Sequence, residues 1–194
     1  PESPVSRSNS GFHLTKEIRV EIVVGTPDVL PSGFVSDLAR YRHRVFVEKL
    51  GWNLACQEGQ ELDQFDRPDT VYLAAHDDKG RIVGTARLLP TDRPYLLAEV
   101  FPELMGDARP PASARIWELS RFAAVDFQAV GSGPMQQFSS PVAIGLLRGV
   151  LEWAAAENIE RLVSVSPLGV ERLLRRAGFQ AHRAAPPKVI DGQP

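Results

Sequence analysis

The sequence has few of the features that mark a specialised class of protein. Its one cysteine, Cys56, cannot form a disulfide within the chain, so we expect a reducing, cytoplasmic location. No apolar run approaches the length of a membrane span. The formal net charge of −2 argues against a broadly basic surface for nucleic acid. What is present is an ordinary globular composition, 43% hydrophobic and 24% charged over 194 residues.

Residue patterning predicts one domain of alternating elements. Residues 1–16 are rich in serine and proline and are expected to be flexible, ahead of a domain over residues 17–194. The sequence Asp-Asp-Lys-Gly separates strand-forming segments at Val71–His76 and Arg81–Leu88, which predicts a hairpin. With the other elements, this predicts an α/β fold in which a mixed sheet has helices on both faces.

The other elements follow from apolar periodicity and from proline and glycine positions. The predicted helices are Ser32–Phe46, a short one within Tyr95–Leu104, one from Pro141 to about Glu157, and Leu168–Ala177. The predicted strands are one around Ile18–Val24, a central one at Arg115–Val125, Arg161–Val165 and a final sheet region from Phe179 to Arg183. Residues 47–70 form a long polar segment, expected to be a lid or a substrate wall. A further strand is expected after the last residues and is missing from the sequence.

The central strand carries charges that are costly to bury. Strict alternation predicts one face with Glu118, Ser120 and Phe122, and the opposite face with Trp117, Leu119 and Arg121. Glu118 and Arg121 therefore need partners or a ligand. From the strand alone, a structural ion pair and a ligand site both remain open.

A second group of charges lies in the long polar segment. Asp63 and Asp66 bracket Phe65, and turn capping is an ordinary role for aspartate in loops. A metal site is disfavoured because we find no nearby histidine or third carboxylate to complete an oxygen-rich ligand set. Together with Arg42, Arg87, Arg121 and Glu118, the pair would form either a buried ionic network or a site for a ligand carrying both signs of charge.

At these positions the sequence resembles the acyl-homoserine-lactone synthases, the autoinducer synthases of bacterial quorum sensing. The resemblance spans about Ile18 to Lys188 and rests on spaced, chemically unusual residues. The matching positions are Arg42, Phe46, Trp52, Asp63, Asp66, Arg87, Phe101, Glu118, Ser120 and Arg121. It implies a single-domain α/β/α sandwich like that of the GNAT acyltransferases. There, two parallel strands splay apart around the thioester donor, here the strand of Glu118 and that of Arg161–Val165.

The resemblance also implies an activity. An acyl group passes from an acyl-carrier-protein or acyl-coenzyme A thioester to the amine of S-adenosylmethionine, and lactone closure then releases methylthioadenosine. Both compounds are substrates, and no cofactor or metal is expected. Glu118 is the expected base, with Ser120 and Arg121 beside it and a backbone N–H near Leu119 or Ser120 for the oxyanion. The other matching residues are expected to bind substrate, although Arg42 and Arg121 could instead fix the acidic loop.

Two further sites are expected from the resemblance. The acyl pocket is expected at Trp117, Leu119, Ser164, Val170 and Leu174, with Ser164 favouring an unsubstituted acyl chain. Carrier-protein docking is expected at Arg172, Arg175, Arg176 and Lys188, for which a solvated helix face is the alternative. We expect a monomer that binds no nucleic acid.

Three alternatives remain open. The sequence Gln128–Gly133 matches a phosphate-binding pattern but lies several residues before a helix, so an ordinary connection is favoured. The chain could instead be an acetyl-coenzyme A-dependent N-acetyltransferase. It could also be a non-catalytic binding module of the same fold.

Overall fold

Five strands form one mixed sheet in the computed structural model, which describes residues 20–128, 140–167 and 170–190, apart from the side chain of Leu173. The strands are β1 Glu21–Gly25, β2 Val71–His76, β3 Ile82–Pro90, β4 Ile116–Ala124 and β5 Arg161–Val163. They lie side by side in chain order. Neighbouring strands are antiparallel except β4 and β5, which are parallel. The predicted mixed sheet is confirmed.

The predicted hairpin is confirmed in β2 and β3. Its turn is stabilised by the carboxylate of Asp77, which accepts hydrogen bonds from the backbone N–H groups of Lys79 and Arg81, both at 2.9 Å. Gly80 adopts a φ of +73°, a conformation that a residue without a β-carbon enters at no steric cost. The residues that stabilise the turn are therefore the same ones that predicted it in the sequence.

Within residues 20–128, 140–167 and 170–190, four α-helices cover the sheet. They are α1 Phe34–Arg42, α2 Leu96–Val100, α3 Pro141–Ala156 and α4 Val170–Arg176. In α3, Pro141 occupies the first turn and the Ser140 hydroxyl caps it by accepting a bond from the N–H of Ala143. A short 3₁₀ turn, Pro102–Met105, follows α2. None of the helices in the described part of the chain has both the length and the apolar character of a membrane span.

The predicted helix Ser32–Phe46 has different boundaries. It begins at Phe34 and, after Arg42, widens into a seven-residue π-helix over His43–Lys49. The predicted polar segment therefore begins later than residue 47. π-Helical turns are rare and are frequently found at functional sites, and apolar periodicity does not distinguish them from α-helix.

Alternation along β2 divides the core between two faces. Val71, Leu73 and Ala75 pack in one apolar cluster with residues of α3, whereas Tyr72 and Ala74 pack in another with residues of α1. α4 lies on the α3 side, since Leu174 packs against the first cluster. The sheet thus has helices on both faces, as predicted.

The predicted alternation along β4 is wrong at one point. Register with β3 shifts so that Arg87 pairs with Ser120 and Thr85 with Ala123, which inserts an extra residue into β4 opposite Ala86. Arg121 has a φ of +50° at this bulge. Its side chain therefore lies with Ser120, while Phe122 packs with the apolar cluster under α3.

β4 and β5 separate at their carboxyl ends. Their pairing stops at Glu118 and Val163, although β4 continues to Ala124. This is the expected splayed parallel pair. β5 ends at Val163 rather than at Val165, and the predicted final sheet region Phe179–Arg183 is not a strand. Residues 1–16 and most of the Gln128–Gly133 sequence lie outside the described residues.

Candidate active site

The acidic loop, which we define as Glu61–Asp66, is a turn closed by its own carboxylates. The N–H of Phe65 donates to Asp63 Oδ1 at 2.8 Å, and the N–H of Asp63 donates to Asp66 Oδ2 at 2.8 Å. At Glu61, the N–H donates to the carbonyl of Ala39 in α1 at 3.0 Å. The turn capping expected of the two aspartates is present, and it leaves their other oxygens directed at arginines.

Arg42 extends from the end of α1 into the acidic loop. Its Nε donates to Glu61 Oε2 at 2.6 Å, and Nη1 donates to Asp66 Oδ1 at 2.7 Å. The side chain is 1% exposed. Burial alone would lower the pKa of Arg42, but the carboxylates of Asp66 and Glu61 raise it above its usual value. Arg42 is therefore a permanently charged anchor for the loop, while substrate contact by this residue stays a prediction.

Arg87, in the middle of β3, connects the loop to β4. Its Nη1 donates to Asp63 Oδ1 at 2.6 Å and to Asp66 Oδ2 at 3.1 Å, and its Nε donates to the Ser120 hydroxyl at 3.1 Å. Tyr72 adds a bond from its hydroxyl to Asp66 Oδ1 at 2.9 Å. Nη2 of Arg87 is buried without a hydrogen-bond partner. One nitrogen of this guanidinium, with its two N–H groups, thus makes no hydrogen bond in the network.

Arg121 completes the network from the bulge in β4. Its Nη2 donates to Glu61 Oε1 at 2.8 Å and to Asp63 Oδ2 at 2.9 Å. The same guanidinium lies 5.7 Å from the ring centre of Phe46 and 6.0 Å from that of Trp52. Those two rings stack on each other with centroids 4.8 Å apart. Predicted basic, acidic and aromatic residues from four separate segments therefore meet.

Glu61 was missed by sequence reasoning. It is 1% exposed and contacts both Arg42 and Arg121, which makes it the third carboxylate that the sequence was thought to lack. Burial alone would raise the pKa of Glu61, but the hydrogen bond from Arg121 and the charge of Arg42 hold it below its usual range. Its position two residues before Asp63 was the available signal.

Glu118 is held differently from the other acids. It is fully buried, and its two carboxylate oxygens accept hydrogen bonds from the N–H groups of Leu96 at 2.9 Å and Leu97 at 2.7 Å, at the start of α2. Burial raises the pKa of Glu118, and the amide bonds and the charges of Arg87 and Arg121 oppose that shift only in part. Glu118 therefore binds a proton more readily than Glu61 and Asp66, whose pKa values are lowered.

Residues 29–193 match the family model described as Autoinducer synthase. The chain belongs to the autoinducer synthase family. Its relatives include the acyl-homoserine-lactone synthase of Acinetobacter nosocomialis, which is 50% identical over 173 residues, covering 89% of this chain and 94% of the relative. The predicted family, and with it the acyltransferase class and acyl-homoserine-lactone synthesis, is confirmed.

Solved structures agree with this assignment. TofI in a ternary complex with an inhibitor and MTA has a TM-score of 0.76 at 44% identity, over 89% of this chain and 86% of that one. BjaI, a CoA-dependent acyl-homoserine lactone synthase with SAM and isopentyl-CoA, has a TM-score of 0.75 at 26% identity, over 91% and 79%. A protein of Lactobacillus plantarum assigned as an N-acetyltransferase, at 19% identity and a TM-score of 0.53 over 90% and 92%, shares the fold. The predicted GNAT-like sandwich is thereby confirmed.

The expected acyl-pocket residues of this autoinducer synthase fall into two environments. Trp117, Leu119 and Leu174 belong to the apolar cluster under α3, where the ring of Trp117 meets that of Trp153 edge-on at 5.0 Å. Val170 is buried, whereas Ser164 is exposed just past the end of β5. Phe101 packs on the other face of the sheet, in a cluster with Phe65.

The expected docking residues are also divided. Arg172 and Arg176 are exposed on α4. Arg175 instead forms an ion pair with Glu171 at 2.8 Å, and the ammonium of Lys188 donates to the carbonyl of Glu103. Arg172 and Arg176 are therefore the better candidates for contact with a partner.

Two cavities border the acidic loop. One of about 830 Å³ is lined by Asp63, Asp66 and Tyr72, together with Pro27, Asp28, Val35, Leu62, Arg67 and Pro68. Another of about 430 Å³ lies beside Phe65 and Arg93. Neither is lined by Arg87 or Glu118, which are buried. Within the described residues, no group of three or more His, Cys, Asp and Glu side chains is placed to hold a metal ion.

Proposed function

We propose that this autoinducer synthase uses the acid–arginine network to bind S-adenosylmethionine beside a thioester donor that enters where β4 and β5 separate. The observation that carries the proposal is the convergence of Arg42, Arg87 and Arg121 on the acidic loop, with Arg121 three residues from Glu118 along β4. The network and the strand separation lie at the same part of β4. Both substrates would therefore meet at that strand.

Charge balance supports a cationic ligand. Three arginines face Glu61, Asp63 and Asp66, which leaves these six groups neutral, and an ionised Glu118 adds one negative charge. S-adenosylmethionine carries a sulfonium, an ammonium and a carboxylate, a net charge of +1. A ligand of that charge would compensate an ionised Glu118, whose burial otherwise favours its protonated form.

Glu118 is the proposed general base for the first step. It would take a proton from the ammonium of S-adenosylmethionine, and the free amine would then attack the thioester carbonyl and expel the thiol of the donor. Its raised pKa suits that role, since a base is most effective when its pKa approaches the working pH. A backbone N–H near Leu119 or Ser120 would stabilise the oxyanion.

The second step closes the ring. The carboxylate of the acylated substrate attacks its own γ-carbon, the carbon–sulfur bond breaks, and the sulfonium leaves as neutral methylthioadenosine. The protein has to hold the chain folded so that these two atoms meet. No cysteine nucleophile is needed because the donor thioester is already activated, so Cys56 has no proposed role.

The test is to incubate the chain with S-adenosylmethionine and acyl thioesters and to quantify both products. We expect one methylthioadenosine for each acyl-homoserine lactone. Acylation without methylthioadenosine release would favour a general N-acyltransferase and contradict the proposal.

Donor choice is tested on the exposed face of α4. Replacing Arg172 and Arg176 with glutamate should raise KM for an acyl-carrier-protein donor, because an acidic partner would meet negative charge. The same variant should keep its KM for an acyl-coenzyme A donor, which has no acidic carrier protein. Arg40→Glu is the control variant, because Arg40 is exposed on α1, and its activity should change little. An unchanged KM for the carrier-protein donor would rule out this surface.

A further inference from the structure

Glu61 joins two arginines that come from different elements, Arg42 at the end of α1 and Arg121 at the bulge in β4. Its carboxylate accepts from Arg42 Nε at 2.6 Å and from Arg121 Nη2 at 2.8 Å, with further bonds from Arg121 Nε at 3.1 Å. Each arginine also has an aspartate partner, Asp66 for Arg42 and Asp63 for Arg121. Glu61 therefore does more than neutralise the two arginines, because its hydrogen bonds also connect α1 to the bulge in β4.

Arg121 depends on such a restraint. Its φ of +50° is uncommon for a residue that has a β-carbon, and conformations of this kind persist where the surroundings over-determine them. Three of its hydrogen bonds run to Glu61, which is itself fixed to α1 by the bond from its N–H to Ala39. The restraint on Arg121 therefore passes through Glu61 to α1.

The position of Arg121 determines one wall of the site. Its guanidinium lies beside the stacked rings of Phe46 and Trp52, and Trp52 is 43% exposed. An exposed aromatic ring offers a face on which a planar group such as adenine can stack, and the guanidinium beside it can pair with a carboxylate of the ligand. A shift of the guanidinium would change both the charge and the shape of that surface.

We propose that Glu61 is a positioning residue for S-adenosylmethionine: it holds Arg121 in its left-handed conformation against the Phe46–Trp52 stack and so maintains the binding surface. The inference rests on the proposed function. Glu61 does not contact the reacting atoms in this scheme. Its loss should therefore weaken substrate binding and leave recognition of the acyl donor intact.

The first test measures binding of S-adenosylmethionine by titration calorimetry to the full chain and to Glu61→Gln. The glutamine has the same shape but lacks the charge that fixes two guanidinium groups, so we expect Kd to rise by about tenfold while KM for the acyl donor is unchanged. Glu160→Gln is the matched control, because Glu160 pairs with Arg115 on the surface, outside the network and both cavities. Its Kd should equal that of the wild type.

A lower melting temperature with unchanged Kd would show a purely structural role for Glu61 and overturn the inference. An equal rise in both Kd and donor KM would overturn it as well. A wild-type chain that binds no S-adenosylmethionine would overturn the proposed function together with the inference, whereas the first two outcomes leave the proposed function standing.

The second test asks whether Glu61 acts through Arg121. In Arg121→Lys the ammonium cannot form the same set of hydrogen bonds to Glu61. Adding Glu61→Gln to this variant should therefore raise Kd for S-adenosylmethionine by less than twofold over that of Arg121→Lys alone. Independent, multiplicative losses would overturn the inference. Should Glu61→Gln fail to fold, Glu61→Asp keeps the charge on a shorter side chain and replaces it in both tests.

Discussion

The two faces of the sheet are built from neighbouring residues but differ in chemistry, because the face opposite α3 carries a charged network beside its apolar clusters. On the α3 face, Ala86 and Leu88 of β3 lie in a fully apolar cluster with Leu146. On the other face, Arg87 lies between them in sequence and enters a network of guanidinium and carboxylate groups. One strand therefore contributes Ala86 and Leu88 to the apolar core and Arg87 to the charged network.

The two faces also differ in energetic terms. Apolar burial contributes roughly 25 cal/mol for each Å² removed from water. A buried ion-pair network gains little net stability, since desolvation offsets most of the attraction between its charges. Stability therefore comes from the apolar clusters on both faces, and we interpret the charged network as retained for its ligand.

The largest effect should follow from Glu118→Gln, on the charged face. Loss of the proposed base should lower kcat by about 10²–10⁴-fold, the usual contribution of general base catalysis. The rate of methylthioadenosine release measures this, with the melting temperature as a control for folding. Because burial raises the pKa of Glu118, the acid limb of the wild-type pH profile should lie above the ordinary glutamate pKa. Full activity in the variant would exclude the assignment.

The second effect belongs to the apolar face. Leu146 is 0% exposed, so Leu146→Ala should lower the free energy of unfolding by about 2–5 kcal/mol. KM for S-adenosylmethionine should remain at its wild-type value in the folded fraction. Leu151→Ala on the same helix is the control, since Leu151 is 42% exposed and its loss should cost far less. A large change in KM for the Leu146 variant would contradict the separation of the two faces.

The smallest effect is the loss of folding stability as the pH falls into the acid range. Burial opposes ionisation of Glu61 and Asp66. Hydrogen bonds and charge from Arg121 and Arg42 nevertheless keep the pKa of Glu61 below its usual range, and those from Arg42, with the charge of Arg87, do the same for the pKa of Asp66. Their stabilisation is therefore present above the unfolded pKa values of about 4 and is lost as the pH falls through the folded values.

Urea unfolding between pH 7 and pH 2 measures this loss, and Asp66→Asn should flatten the curve below about pH 4. The stability contribution of Glu118 depends on pH in the opposite direction. Its raised pKa contributes stability that is complete below the unfolded value and is lost as the pH rises through the folded value. Glu118→Gln should accordingly leave the acid limb intact. An acid limb of unchanged slope in Asp66→Asn would contradict the assignment.

Sequence patterns predicted the elements whose signals are local. The hairpin depends on one turn, and α3 begins at Pro141 directly after the capping residue Ser140, so both predicted elements were correct. Alternation failed at Arg121, because a bulge arises from pairing with β3 and leaves no local mark. For the same reason the π-helix after Arg42 was missed, since apolar spacing fits either kind of helix over a single turn.

The candidate site was predicted through residue types rather than through contacts. Asp63, Asp66, Arg87 and Arg121 do meet, as a ligand site or an ionic network would require. Glu61 was missed because a glutamate in a polar loop is ordinary until two guanidinium groups are seen to enclose it. Pairwise geometry of this kind depends on how α1, β3 and β4 pack, which a single sequence does not specify.

The extra residue at Arg121 means that odd and even positions exchange sides within β4. Grafting only the letters Glu-Leu-Ser-Arg onto an unbulged strand would send the guanidinium toward the apolar layer instead of the acidic loop. The segment would thus keep its geometry in another protein only if β3 and the carboxylates that pair with Arg121 were transferred with it. A redesign of the enzyme would have to treat these parts as one indivisible block.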